Sequence, residues 1–159
     1  MTISRSEARD AKRIRIVAAV ILDQAGKTLL VRKRGTAAFM QPGGKRAKGE
    51  TSLAALEREL IEELGCGLEG SSCHALGTYS APAANEPGWT VEAELFSATL
   101  VGEARPLAEI EETIWIDPDG EGPIDLAPLT RAYGLPLARE LKHHEAANIL
   151  AAGRMAGGR

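Results

Sequence analysis

GKRAKGETSLAALERELIEELGC, residues 44–66, places Glu59, Glu62 and Glu63 at i, i+3 and i+4 of a segment that otherwise reads as a strong helix. That spacing predicts three carboxylates on one helical face, where like charges destabilise one another. A bound divalent cation lets a chain tolerate such a cluster, because hard cations take carboxylate oxygens. The helix is predicted over residues 52–64, with Thr51 or Ser52 capping its start and Gly65 suited to the left-handed position after its end. Leu53, Leu56, Leu60 and Leu64 form an apolar stripe expected to face a sheet. The three glutamates lie to the side of that stripe, toward the rim of a cleft. Just upstream, Pro42, Gly43 and Gly44 make a turn that offers backbone groups at close range.

At 159 residues the chain is the size of one domain, with 44% hydrophobic and 26% charged residues. The formal net charge of -3 argues against a nucleic-acid-binding surface but leaves room for a small anion on a local basic patch. The longest apolar run, residues 16–22, is far too short for a bilayer, so no membrane association is expected. The first residues, MTISRSEARDAKR, carry neither an apolar signal region nor a cleavage site. Cys66 and Cys73 form no CxxC pair and read as reduced thiols of a cytoplasmic protein.

Residues 1–13 read as a flexible lead-in, 14–150 as a single domain and 151–159 as a fraying tail. Residues 14–22 form a predicted buried strand, and residues 27–32 are expected to pair back on it as a hairpin, with Gly26 at the positive-φ position. Further strands are predicted at 73–80, 89–101 and 110–116, separated by a loop at 81–88 of the kind that often carries specificity. A short helix is expected at 127–133 and a better one at 136–150, with Pro136 in its first turn and Leu137, Leu141, Ala147 and Leu150 covering the sheet.

The segment resembles the signature of the Nudix hydrolase family, G-x5-E-x7-R-E-U-x-E-E-x-G-U, where U is a bulky aliphatic residue. Here the pattern is Gly44, Glu50, Arg58, Glu59, Leu60, Glu62, Glu63 and Gly65, with Cys66 at the last position. At about 7% background per fixed identity, a chance match is on the order of 10⁻⁸ per starting point. Cys66 departs from the pattern only where a small hydrophobe packs acceptably. The resemblance implies an α/β/α sandwich with a mixed β-sheet, and Mg²⁺- or Mn²⁺-aided hydrolysis of a nucleoside diphosphate linked to another moiety. The chemistry agrees, since a diphosphate repels an attacking hydroxide until its charge is neutralised.

Carried over position by position, the resemblance implies that Glu59 and Glu63, with Glu62 close behind, are the main metal ligands and that the Gly43 carbonyl adds another. Glu50 and Arg58 would form the ion pair that locks the loop onto the helix, with Gly44 and Gly65 as structural positions of the motif. Arg32 stands where related proteins place a phosphate or base contact, with Lys33, Arg34 and Lys45 as nearby cations. The family often supplies a further ligand or general base from the region of Glu109, Glu111 and Glu112. Glu112 is preferred, because its parity matches Ile110 and Ile114. Phe39, Trp89 and Trp115 are candidates to stack a nucleobase, although Trp115 reads better as a core anchor. His74, His143 and His144 read as surface residues.

The leading expectation is a pyrophosphohydrolase acting on a nucleoside triphosphate or a related nucleotide. The run at 42–50 is similar to the MutT-like branch that removes oxidised dNTPs, though Gln41 stands where that branch commonly has an apolar residue. Pro82, sixteen residues beyond the motif, keeps an ADP-ribose or other nucleotide-sugar pyrophosphatase as the alternative, while Tyr79 falls short of the position expected for a dinucleoside polyphosphate hydrolase. An isomerase of the same fold needs a cysteine upstream of the motif, and none exists. A nucleotide-binding module without catalysis usually loses these glutamates. A homodimer is common in the family, but no segment demands one.

Overall fold

The computed structural model describes residues 2, 4, 5, 12–120 and 122–157. Eight of the thirteen residues of the expected lead-in lie outside the described residues, and Arg13 already belongs to the first strand. Among the described residues from 12 onward, nine strands and two α-helices follow in order: β1 (Arg13–Ile21), β2 (Thr28–Lys33), β3 (Phe39–Met40), β4 (Gly43–Gly44), α1 (Ser52–Leu64), β5 (Gly67–Leu68), β6 (His74–Pro82), β7 (Thr90–Ala98), β8 (Leu100–Val101), β9 (Ile110–Ile116) and α2 (Leu135–Ala156).

The strands form a mixed four-stranded sheet in the order β4-β1-β7-β6, a three-stranded sheet β3-β2-β9 and a two-stranded ribbon β5-β8. β1 runs parallel to β7 over its whole length, from Arg13 opposite Thr90 to Ile21 opposite Ala98. The expected hairpin of β1 with β2 is therefore corrected. The turn itself forms, with Gly26 at φ 80° and the Asp23 carboxylate accepting from the Ala25 and Lys27 amides. Only the Leu22–Thr28 bridge joins the two strands, after which they part into different sheets. The apolar sequence of β1 explains this, because a strand buried on both faces needs a neighbour layer on each side.

Alternation in β1 divides the interior. Val17, Ala19 and Ile21 pack with Leu29, Val31, Leu56, Leu60 and Leu64 on one face, while Ala18 packs with Ala93, Leu95 and Leu129 on the other. Partly buried Tyr133 and Leu137 complete that second core, so the mixed sheet lies between α1 and α2 in an α/β/α arrangement. Each fully buried leucine of α1 contributes about 1.5–3 kcal/mol.

α1 occupies the predicted span. The Thr51 side chain accepts from the Ala54 amide at 3.1 Å, and Gly65 closes the helix at φ 69° with its N–H on the Ile61 carbonyl. Its buried face differs from expectation. Leu53 is 44% exposed, whereas Ala55 and Glu63 are buried beside Leu56, Leu60 and Leu64. Leu53 sits in the exposed first turn, and Glu63 lies one turn beyond Glu59 on the inward side.

α2 starts earlier than expected. Thr130–Gly134 forms a π-helical turn that runs directly into it, and the helix continues through Ala156 rather than fraying from residue 151. Ala138 is its one fully buried residue, while Ala147 is exposed and Leu150 is 65% exposed, so only the first half covers the sheet. Trp115 is likewise exposed at 38% instead of anchoring the core. His74, His143 and His144 are exposed, as expected. No helix among the described residues is long and apolar enough to cross a membrane.

Candidate active site

The loop before α1 is built by close approach. Gly43 and Gly44 pair with Ala18 and Val17 at the edge of β1, and a Cβ on Gly43 would stand 2.0 Å from the Val17 carbonyl oxygen. A Cβ on Gly44 would stand 2.4 Å from the Glu59 carboxyl carbon. Glycine at both positions lets backbone lie directly against β1 and against the Glu59 carboxylate.

Arg58 fastens this loop to the helix. Its Nε and Nη2 each donate to Glu50 at 2.8 Å, its Nη1 donates to Glu59 at 3.0 Å, and Nη2 also donates to the Lys45 carbonyl at 3.0 Å. Arg58, followed by the Ala47 amide, holds the Glu50 carboxyl down to about 2. The ion pair expected from the sequence is therefore formed, with bidentate geometry.

Glu63 is 2% exposed, and neither of its oxygens has a hydrogen-bond partner. Burial, followed by the charge of Glu59, pushes its carboxyl up to about 8, while Lys33 and the nearby Gly43 amide act weakly in the opposite direction. Leu107 and Arg105 donate from their backbones to the Glu63 and Leu64 carbonyls, at 2.9 and 3.1 Å, and so close the end of α1 over this region. Glu62 points elsewhere. It is more than half exposed, and its carboxylate lies 3.6 Å from Arg58.

A cleft of about 390 Å³ opens beside this face. Gly44, Lys45, Glu59, Lys33 and Glu109 line one end, and Ile16, Met40, Val91 and Leu129 provide an aliphatic wall. Pro82, Ala84, Asn85 and Glu86 close the rim. A pocket of this size and mixed lining suits a small-molecule ligand.

Of the expected contacts, Lys33 and Lys45 line the cleft, whereas Arg32, Arg34, Phe39, Trp89, Glu112 and Trp115 do not. Arg32 is occupied by Glu112 at 3.1 Å and by the Thr36 carbonyl at 2.9 Å, and lies over the Phe39 ring. Its neighbour Lys33 lines the cleft instead. Trp89 stands outside the lining, at the base of the loop, where its carbonyl accepts from Ala83 and its amide donates to Glu86. Glu112 points to solvent, because the register slips between Arg32 and Lys33. Arg32 pairs with Glu112 but Lys33 with Ile110, leaving Glu111 as an extra residue that breaks the parity. Glu109 takes its place in the cleft, 3.7 Å from Lys33, on a turn whose Ala108 adopts φ 51°. A bulge has no sequence code of its own, so only the run of three glutamates pointed to this segment.

Among the described residues no three carboxylates are already gathered around one point. The donors nonetheless fit a divalent cation of the Mg²⁺ type, which keeps several waters and takes one or two carboxylates. Two dry, unpartnered oxygens on Glu63 and a second carboxylate on Glu59 are a costly arrangement without a cation and a satisfied one with it.

The NUDIX domain family model matches residues 12–133. A MutT NUDIX hydrolase from Burkholderia pseudomallei is 27% identical with a TM-score of 0.67, the match covering 78% of this chain and 96% of that one. A NUDIX hydrolase from Nitrosomonas europaea is 28% identical with a TM-score of 0.62, covering 85% and 90%. A UDP-X diphosphatase shares the fold at 16% identity and a TM-score of 0.66, covering 91% and 73%. No curated protein matches the chain. The chain belongs to the Nudix family. It is a Nudix hydrolase, an enzyme of phosphoanhydride bonds, in a family that generally uses divalent metal ions.

Proposed function

We propose that the enzyme is a Mg²⁺- or Mn²⁺-dependent pyrophosphohydrolase that cleaves the diphosphate linkage of a nucleoside triphosphate or related nucleoside diphosphate derivative, with oxidised dNTPs among the candidates. The observation that carries this reading is Glu59, which lines a cleft together with Gly44, Lys33, Lys45 and Glu109, and the buried, unpartnered Glu63 one helical turn further on. Glu59 and Glu63 would hold the metal, with the Gly43 carbonyl beside them and Glu62 joining by a change of side-chain rotamer. When bound, the metal supplies charge neutralisation at the diphosphate and acidifies a water.

Lys33 and Lys45 draw the phosphates to that end, and the aliphatic wall takes the uncharged moiety while excluding water from it. Glu109 is the acid best placed to accept a proton at the cleft. Arg58 and Glu50 hold the loop and take no proton, because the pair stays ionised at neutral pH. The substrate is a small molecule, acted on in the cytoplasm by one domain spanning residues 14–150, with a homodimer compatible with the family.

Incubating the protein with Mg²⁺ and a panel of dNTPs, 8-oxo-dGTP, ADP-ribose and dinucleoside polyphosphates, while following phosphate and pyrophosphate release, tests the reading. Turnover that disappears in Glu63→Gln is expected, and undiminished turnover in that variant would sink the metal assignment. Pro82 in the cleft rim favours ADP-ribose or another nucleotide sugar as the second reading, which preferential release of a nucleoside monophosphate from ADP-ribose would establish.

A further inference from the structure

Gln41 is 4% exposed, although it stands one residue before the Pro42-Gly43-Gly44 turn. Its Oε1 accepts a 2.8 Å hydrogen bond from the Thr130 hydroxyl, and Thr130 is itself fully buried. Its Nε2 is buried without a partner. The π-helical turn Thr130–Gly134 wraps the amide so closely that a Cβ on Gly134 would stand 2.1 Å from Nε2. Single π turns are uncommon and gather at functional sites.

Two roles are open to a buried amide beside a cleft: reading the ligand, or fixing the elements around it. Gln41 is among the residues lining the cleft, but its Nε2 is sealed from solvent and so offers no donor to a ligand there. The surrounding chain favours the second role. The Phe39 amide donates to the Asp125 carbonyl at 2.8 Å and the Phe39 carbonyl accepts from Ala127 at 2.9 Å, joining this strand to the segment that becomes the cleft wall. Three residues on from Phe39, the Pro42 carbonyl accepts from Ala19 at 3.0 Å, and Gly44 abuts Glu59. Gln41 thus bridges the metal-facing turn and the wall that ends in the π turn. An apolar side chain would fill the same space without leaving an N–H dry. Only a directed hydrogen bond, however, fixes orientation as well as volume.

We propose that the Gln41 amide is a positioning group, locked by Thr130, that sets the Gly43–Gly44 turn relative to the cleft wall and thereby aligns the metal-binding face with the substrate. The proposal rests on the assignment of Glu59, Glu63 and Gly43 to that face.

The test compares wild type, Thr130→Val, Thr130→Ser and the double variant Gln41→Leu/Thr130→Val. Mn²⁺ binding to the protein alone is read from the electron paramagnetic resonance of free Mn²⁺, kcat and KM on the nucleotide turned over best, and folding by circular dichroism. Thr130→Val is expected to lower kcat and weaken Mn²⁺ binding by about tenfold, the usual scale for groups that orient ligands. Thr130→Ser, which keeps the hydroxyl, should restore both. The double variant, whose apolar pair satisfies the core, should be as heat-stable as wild type yet remain impaired in both readouts. Recovery of wild-type kcat and Mn²⁺ affinity in the double variant would overturn the proposal, as would an unaffected Thr130→Val. Wild-type protein that binds no Mn²⁺ overturns the metal assignment and this proposal with it, whereas variants that match a Mn²⁺-binding wild type overturn this proposal alone.

Discussion

Arg58 grips Glu50 through two parallel hydrogen bonds of 2.8 Å, closing the loop between the glycine turn and α1. The same guanidinium reaches Glu59 and the Lys45 carbonyl, so three groups from three parts of the motif meet on one side chain through four hydrogen bonds. Lysine cannot reproduce that planar fork. Arg58→Lys is therefore expected to lower kcat/KM about 10- to 100-fold, the range seen when groups orienting metal ligands are lost. Steady-state kinetics across a Mg²⁺ titration would check this. A wild-type rate in the lysine variant would reduce the pair to surface decoration.

Glu63 gives a pH dependence of definite sign. Its carboxyl titrates at about 8 in the metal-free fold against 4.5 in a free chain, so the folded state binds the extra proton between those values. The contribution is fully present below pH 4.5 and is lost as pH rises toward 8, at no more than about 1.4 kcal/mol per pH unit. Melting temperature in EDTA should fall over that window in wild type and much less in Glu63→Gln. Adding Mg²⁺ at pH 7 should release a proton and recover the loss. Parallel melting curves for the two proteins would contradict the assignment.

Gly44 tests the close approach. Alanine there puts a Cβ 2.4 Å from the Glu59 carboxyl carbon, which must move aside. A fold that survives with kcat reduced on the order of a hundredfold is expected, as for other displacements of about 1 Å in reacting groups. Circular dichroism beside kinetics separates this from unfolding.

The cleft assignment separates neighbours in sequence. Lys33→Ala should raise KM roughly tenfold or more, the scale of a lost charged hydrogen bond, whereas Arg32→Ala, which loses the Glu112 pair, the Thr36 hydrogen bond and the Phe39 contact, should lower stability while leaving KM near wild type. Glu109→Gln should lower kcat while Glu112→Gln leaves it near wild type. The reverse order in either pair would mean that the β9 register is misassigned.

The two leucines of α1 make a stability test. Leu56→Ala, at a fully buried position, should cost about 2–5 kcal/mol in urea unfolding. Leu53→Ala, at a position 44% exposed, should cost far less.

The parts of the molecule governed by local chemistry were legible in the sequence. Thr51 and Gly65 delimit α1 because a hydroxyl cap and a left-handed glycine act within a single turn, and Glu50 finds Arg58 because a rigid motif fixes their separation. What depended on partners elsewhere in the chain was not legible. β1 looked like half of a hairpin, yet it pairs with β7, 77 positions away at Arg13–Thr90. Glu112 looked inward until the extra residue at Glu111 broke the alternation, and Arg32 looked free until that slip placed Glu112 opposite it. Gln41 registered only as a departure from an apolar preference, since Thr130 and Gly134, which account for it, lie 89 and 93 positions downstream.

Glu63 occupies a place in the helix-sheet interface that a leucine would fill with better packing and no desolvation penalty. On the proposed role of Glu63, evolution toward a hardier protein and evolution toward a working one would pull in opposite directions at this single codon. An apolar replacement would give a more heat-resistant but inert molecule, so thermal robustness makes a poor screen for function here. On the proposed metal assignment, the same position would tie the lifetime of the folded chain to the free divalent-cation level, because the ion needed for turnover would also neutralise the buried carboxylate.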